Sequence, residues 1–555
     1  MVRLPPLALR APSSLLVIGA LLLCLAGNPA RAEGTAAALP VTQGETAARI
    51  AARLADPAPL NVEGIALDRA PLVAVYGARQ NAPLWEGRAA WPAALEVALA
   101  ASASEGIPPE SLGLTTLRRA LADPALSPAE RDLFLTDRFL AYGAILARGR
   151  IDLASIETLW AMPAPGFDPV TAAAELEKSG SPAAALQSLA PASADYDRLR
   201  IALARYDALA AAGGWESLPA GTKLRAGDKG PMVQLLRRRL AAEGDLPANL
   251  TENPAFDATL EAAVTSFQGR HGLLADGRIG PATFAALNLT AADRARQIRV
   301  NLERLRASPH ALPPTRIEVQ QASQMLTLYR DGKPVLVSRV VVGAPIHATP
   351  VLEAAVERVV LDPAWDVPPS IVRNEIQPRL GRDPGYLARN HYVVLGSGPG
   401  GMRLRQLPGP WNALGTVMLD MPNAFDVYLH DTPQRNLFAL PQRALSHGCV
   451  RVEAVRDLAG ALLGAPLPAP GGPTRGLKLA APMPVYFLYQ TAFAEADGTV
   501  AFRDDIYGRD ARLVAALARI EGGAVPPPPP VVGATVPASA KSCPQIAANL
   551  ESLGP

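Results

Sequence analysis

The period of the apolar residues changes once along this 555-residue chain, and that change does most to limit the folds open to it. From about 46 to 306, apolar residues recur at three- and four-residue spacing, the mark of amphipathic helices. Leu95, Ala98 and Leu99 share one such face, and Leu135, Phe139, Tyr142 and Leu146 share another. From Gln324 onward the pattern becomes short apolar runs: Met325–Tyr329, Val335–Val337 and Val340–Gly343, with Asp331-Gly332 between the first two. Asp-Gly between apolar runs signals a β-hairpin. Further strands are expected at 356–361, 392–395, 415–420 and 426–430. Helices first and strands afterwards predict a multidomain α+β chain.

Within that plan, residues 46–215 form an α-helical domain broken by Pro and Gly and carrying no cluster of reactive side chains. Residues 222–290 form a compact three-helix unit. It opens on the turn Gly227-Asp228-Lys229-Gly230, carries Val233, Leu236 and Leu240 and then Leu260, Val264 and Phe267 on helical faces, and ends on Asp276-Gly277-Arg278-Ile279-Gly280-Pro281-Ala282-Thr283. Pro281 suits the first turn of its third helix. Residues 291–306 connect onward, with Ile298, Leu302 and Leu305 on one face. The β-rich domain spans 315–490, a C-terminal extension follows at 491–522, and the tail at 523–555 contains the uninterrupted run Pro526–Pro530, expected to be extended or disordered.

The N-terminus reads as a secretory signal peptide over 1–32. Arg3 and Arg10 precede an apolar run from Leu15 to Ala26, and Ala30-Arg31-Ala32 supplies small residues for cleavage. The run is short for a membrane span, which needs about 20 residues. No stable span is therefore expected after cleavage, and the protein is expected outside the cytoplasm. Leu23 stands where a lipidated Cys24 would want a small residue. A formal net charge of +2 gives no support for a nucleic-acid partner.

After cleavage two of the three cysteines remain, Cys449 and Cys543. One pair is not a disulfide framework, and the surroundings of Cys449 favour a reactive thiol. It lies in Ser446-His447-Gly448-Cys449-Val450-Arg451-Val452, with Val427-Tyr428-Leu429-His430-Asp431-Thr432-Pro433 upstream. Two of only six histidines therefore fall near one cysteine. An imidazole can hold a thiol as thiolate, the nucleophilic form. Gly448 permits a turn, from which the N–H groups of Gly448 and Cys449 would face a developing oxyanion. Beyond the turn, Cys449 and Arg451 share a strand face while Val450 and Val452 point inward. By the same alternation Tyr428 and His430 share a face, with Leu429 and Asp431 on the other. A backbone carbonyl, not the Asp431 carboxylate, is then left to orient His430.

The stretch from His430-Asp431-Thr432-Pro433 through Phe438 and Arg443 to Ser446-His447-Gly448-Cys449-Val450-Arg451-Val452 resembles the signature of the YkuD-type L,D-transpeptidases. Val342-Gly343, Thr349-Pro350, Asp362–Pro369 and Asn412–Gly415 are similar to the larger members of that family. Those members add a helical scaffold and a peptidoglycan-binding domain, which 46–215 and 222–290 resemble. The resemblance implies a β-sandwich-like catalytic domain at 315–490; the stretch 362–415, between strands, ahead of His430 and rich in Pro, Gly and Arg with Trp365, Tyr386 and Trp411, reads as a lid or capping subdomain.

It also implies roles. Cys449 is the nucleophile and His430 the general base and acid, oriented by the backbone of Asp431. His447 and Gly448 support the thiolate or oxyanion region. Arg451, Arg443, Ser446, Tyr428 and Trp365 are expected to contact substrate. The reaction implied is acyl transfer: Cys449 attacks the L-centre carbonyl of a tetrapeptide stem, D-alanine leaves, and an amine of a neighbouring stem takes the acyl group to give a 3→3 cross-link. Water as acceptor makes the enzyme a carboxypeptidase. The partners expected are stem peptides, with glycan strands at 222–290, in the periplasm, and no cofactor or metal is called for. Two rivals stand beside this: a zinc site built from His430, His447 and Cys449, and a non-catalytic wall-binding scaffold. Pairing of Cys543 with Cys449 would switch such an enzyme off and is not expected.

Overall fold

The computed structural model describes residues 41–398, 401–495 and 497–522. The expected leader at 1–32, the proline-rich tail at 523–555, Cys24 and Cys543 lie outside the described residues. No helix among the described residues is long and apolar enough to cross a membrane.

The N-terminal region is helical from Val41–Ala55 to Ala194–Ala211. Local chemistry sets where its helices begin. The helices Pro128–Arg148, Pro169–Ser179 and Pro182–Leu189 each start on a proline, whose missing N–H costs nothing there. The preceding Ser127, Asp168 and Ser181 side chains accept the exposed N–H groups of the first turn. Tyr76, Leu95, Leu99, Phe139 and Tyr196 meet in one core. The three-helix unit comprises Pro231–Glu243, Ala258–Arg270 and Pro281–Leu287, closed over its own core of Val233, Leu236, Leu240, Leu260, Val264 and Phe267.

The β-rich domain is built on one main sheet. Its strands are β1 (Arg316–Gln320), β2 (Met325–Arg330), β3 (Lys333–Gly343), β4 (Val351–Leu361), β8 (Val417–Asp420), β9 (Leu429–His430), β10 (Ala444–Ser446), β11 (Val450–Val452) and β12 (Arg475–Leu488). Three further strands, β5 (Trp365–Val367), β6 (Tyr392–Gly398) and β7 (Gly401–Gln406), form a separate antiparallel sheet in the order β5-β7-β6. The main sheet runs β8-β9-β11-β3-β2-β1-β12-β4, and β8 also pairs with β4, so the two-faced arrangement closes on itself. The β2–β3 hairpin turns at Asp331 and Gly332, both at positive φ (50° and 75°), as the Asp-Gly dipeptide predicts. Alternation buries Ile317, Val319, Leu326 and Leu328 inside the closed sheet.

Elements from outside the β-rich segment complete this domain. Trp160–Ala161, from the helical region, pairs in parallel with β4 and places Trp160 and Met162 in the sheet's core. In return, Ala492, Val500 and Phe502 of the C-terminal hairpin enter the helical core. The helix Ala291–Arg306 serves both sides: Ala295, Ile298 and Leu302 face the helices, and Val300 faces the sheet. Two of its buried arginines are in ion pairs, Arg306 with Glu303 at 2.7 Å and Arg304 with Asp510 at 2.6 Å. A buried charge must be paired to be tolerated, and the Arg304–Asp510 pair ties this helix to the C-terminal extension.

Candidate active site

The sheet brings the two signature segments together. β9 and β11 pair in parallel, Leu429 opposite Val450 and His430 opposite Arg451. The Val450 N–H donates to the Tyr428 carbonyl at 3.0 Å. Val450 and Val452 are fully buried. That leaves Cys449 and Arg451 on the other face, and both line a cavity of about 140 Å³ with His430, His447, Tyr428 and Trp365. Its roof comes from the segment around the small sheet: Ile371, Glu375, Ile376, Arg379, Tyr386 and Tyr392. Three larger cavities, of about 460, 650 and 1140 Å³, contain no histidine or cysteine. No group of three or more His, Cys, Asp or Glu side chains among the described residues is arranged to hold a metal ion.

His430 is almost fully buried. Burial, reinforced by the Arg451 guanidinium, pulls its pKa down to about 3, and the backbone of Asp431 acts in the opposite direction. The imidazole is therefore neutral at pH 7. Its Nδ1 has no partner within hydrogen-bond geometry, and such contacts are often long before substrate arrives. The Asp431 carboxylate points elsewhere: Oδ2 accepts from Thr416 N and Oγ1, both at 2.9 Å, and Oδ1 from Arg435 at 3.2 Å. The Tyr428 ring packs edge-on against His430 at 5.4 Å, and the Trp365 indole hydrogen-bonds the Tyr428 phenol.

Arg451 faces the cavity, donates to Gln434 Oε1 at 2.5 Å, and has its pKa pulled down to about 10 by burial. Its Nε has no partner. A half-buried guanidinium that donates to an amide and keeps its Nε unpartnered is suited to an incoming carboxylate.

The loop Ser446–Cys449 and its approach correct two expectations. Gly448 does make the predicted turn, at φ +115°. Its N–H, however, donates to Ser446 Oγ at 3.2 Å and not toward the cavity. The Ser446 hydroxyl in turn donates to the Cys449 carbonyl at 2.5 Å, so Ser446 braces the loop while also lining the cavity. Arg443 is buried, and its guanidinium donates to the carbonyls of Gln324, Val340 and Leu440 at 3.0, 3.1 and 2.8 Å. It fastens the loop's approach to β2 and β3, and it is not among the residues lining the cavity.

Cys449 corrects a third. The sequence leads to a reduced thiol, but Cys449 is held in a disulfide in this structure. Cys449 Sγ lies 3.8 Å from the Asp426 carbonyl.

Two residues given no role by the sequence reading hold the loop. Thr349 Oγ1 donates to the Gly448 carbonyl at 2.8 Å and accepts from Gly343 N at 2.9 Å. The C-terminal extension supports it: Arg509 donates to the Thr349 carbonyl at 2.9 Å, and Tyr507 donates to the Gly343 carbonyl at 2.8 Å. The second is Glu375, whose Oε1 lies 2.9 Å from His447 Nε2. Thr349 stood within the Thr-Pro pair that entered the resemblance. Glu375 had no local signal at all.

Comparison with known proteins finds likenesses over three parts of the chain. Residues 314–479 match the YkuD family, the L,D-transpeptidase catalytic domain. Residues 70–203 match a family described as "Scaffold domain", and 229–287 one described as "Putative peptidoglycan binding domain". A "Putative L,D-transpeptidase" of Haemophilus influenzae is 34% identical over 246 residues, covering 39% of this chain and 48% of that protein. The chain thus spans about half the length of that curated relative. Solved structures that it resembles include an L,D-transpeptidase from Xylanimonas cellulosilytica, at 20% identity and a TM-score of 0.17, covering 49% of this chain and 99% of that one. Another is the catalytic domain of the E. faecium L,D-transpeptidase, at 18% identity and a TM-score of 0.18, covering 32% and 99%. At those scores the superpositions add nothing to the family match. With its signature residues gathered in one cavity, the 314–479 segment belongs to the YkuD family of L,D-transpeptidase catalytic domains, in a chain that also carries scaffold and peptidoglycan-binding domains.

Proposed function

We propose that this chain, exported to the periplasm, is an L,D-transpeptidase that remakes peptidoglycan cross-links. The observation that carries the reading is the parallel pairing of β9 with β11, which brings His430, Cys449 and Arg451 to one cavity. Once reduced, the Cys449 thiol passes its proton to the neutral His430, and the thiolate attacks the L-centre carbonyl of a tetrapeptide stem. The C–N bond to D-alanine breaks, and His430 protonates the departing amine. A stem amine then attacks the thioester, His430 takes its proton, and the thiolate is released. Arg451 meets a carboxylate of the donor stem, and Tyr428 and Trp365 pack beside it. The lid over 362–415 keeps water from the thioester, and 222–290 contributes glycan contact.

The test is mass spectrometry of the reduced protein with disaccharide-tetrapeptide. D-alanine loss, a covalent adduct and a cross-linked dimer are expected. D-alanine loss without dimer assigns water as acceptor and makes the protein an L,D-carboxypeptidase. No adduct and no product sinks the reading.

A pH dependence follows. Neutral His430 is the competent form, so the acid limb of kcat/KM for D-alanine release should lie far below neutrality. Arg451→Asn removes a positive charge that disfavours imidazolium. The His430 pKa should rise, moving the acid limb upward by about one unit. An acid limb unmoved in that variant would show that Arg451 does not act on the base.

A further inference from the structure

We propose that Glu375 is a positioning residue for this acyl transfer: it reaches from the lid to His447 and so couples lid closure to the arrangement of the catalytic loop. The inference rests on reading Cys449 as the nucleophile. Glu375 lies in a single π-helical turn, Val372–Ile376, between the short helices Pro369–Ile371 and Gln377–Leu380. Such turns are rare and recur at functional sites. This one is anchored by the buried Ile371, Val372 and Ile376. From it, Glu375 Oε1 reaches His447 Nε2 at 2.9 Å, spanning 72 positions of sequence.

The contact constrains His447 in two ways. A carboxylate can only accept, so it selects the form of His447 with a proton on Nε2. It also sets the plane of the ring, which stacks on His347 at 5.7 Å and 17°. Only Gly448 separates His447 from Cys449, and Gly448 is itself tied to Thr349 and Ser446. A lid that swings away takes Glu375 with it and releases the ring. A lid that closes over a stem peptide restores the pair as the thiol is about to react. Acylation is thereby favoured when the site is covered.

A double-mutant cycle in the reduced full-length protein tests this, reading D-alanine release from disaccharide-tetrapeptide. Glu375→Ala should lower kcat by about ten- to hundredfold, the range in which misplaced catalytic groups fall, with KM changed less than about threefold. Glu375→Gln, which retains an acceptor oxygen of the same reach, should recover part of the loss. In a His447→Gln background, Glu375→Ala should cost little more, because the two act as one unit. Additive losses, or a Glu375→Ala enzyme with unchanged kcat, overturn the proposal. A wild-type enzyme that releases D-alanine beside additive variants removes only Glu375's role. A wild-type enzyme that releases none removes the transpeptidase reading, and this inference with it.

Discussion

Cys449→Ala protein is expected to release no D-alanine from a tetrapeptide donor, a loss on the order of 10⁴-fold or more, since removing a nucleophile leaves only what binding and the surrounding dipoles contribute. The substitution should leave the site standing. Val450 and Val452, fully buried on either side of Arg451, hold β11 against β3 and β9. Ser446, Thr349 and Arg443 brace the loop through backbone contacts that do not involve the Cys449 side chain. Unfolding midpoint and stem-peptide binding should therefore stay close to those of the reduced wild type while the covalent adduct disappears. Turnover surviving within tenfold would show that another group carries the acyl chain, and the reading of Cys449 would be abandoned.

Much of this site is legible in one short stretch of sequence, and the physical reason is strand alternation. Period two places Cys449 and Arg451 on one face and Val450 and Val452 on the other, and does the same for His430 against Leu429, without any tertiary information. The same reasoning fails where side chains meet partners from elsewhere. Arg443 looks like a free cation near a nucleophile until β2 and β3 supply carbonyls for its guanidinium. Gly448 looks like an oxyanion donor until Ser446 takes its N–H. Glu375 belongs to the roof, and nothing local distinguishes it from a solvated carboxylate. The fold shows the same division. Helices in the N-terminal half and the Asp331-Gly332 hairpin follow from period and turn chemistry. The strand that Trp160 lends to the main sheet and the hairpin that lends Phe502 to the helical core do not, because their partners lie 190 or more positions away, as Trp160 lies from Val351.

Protein handled without reductant is expected to be nearly inert, and a dithiol should raise its activity by at least about a hundredfold. The argument begins from the disulfide at Cys449. Nucleophilic attack needs a thiolate, and a sulfur already bonded to sulfur has no such electron pair to give. Reduction proceeds by exchange: a dithiol's thiolate attacks the disulfide, a mixed disulfide forms, and closure of the reductant's ring delivers two electrons and frees both protein sulfurs. With the bond open, Cys449 can pass its proton to the neutral His430, and the site becomes the one the transfer chemistry requires. Peptide mapping under non-reducing conditions should find Cys449 joined to another cysteine of the chain, and D-alanine release should rise in step with its opening. Cys449→Ala protein should show no response to the dithiol, which separates this effect from any action of reductant elsewhere. Full activity in untreated protein, with Cys449 open to alkylation, would mean that the bond is not part of the resting enzyme. A reductant-dependent rise instead assigns the oxidised and reduced protein to off and on states, with the nucleophile itself as the switch.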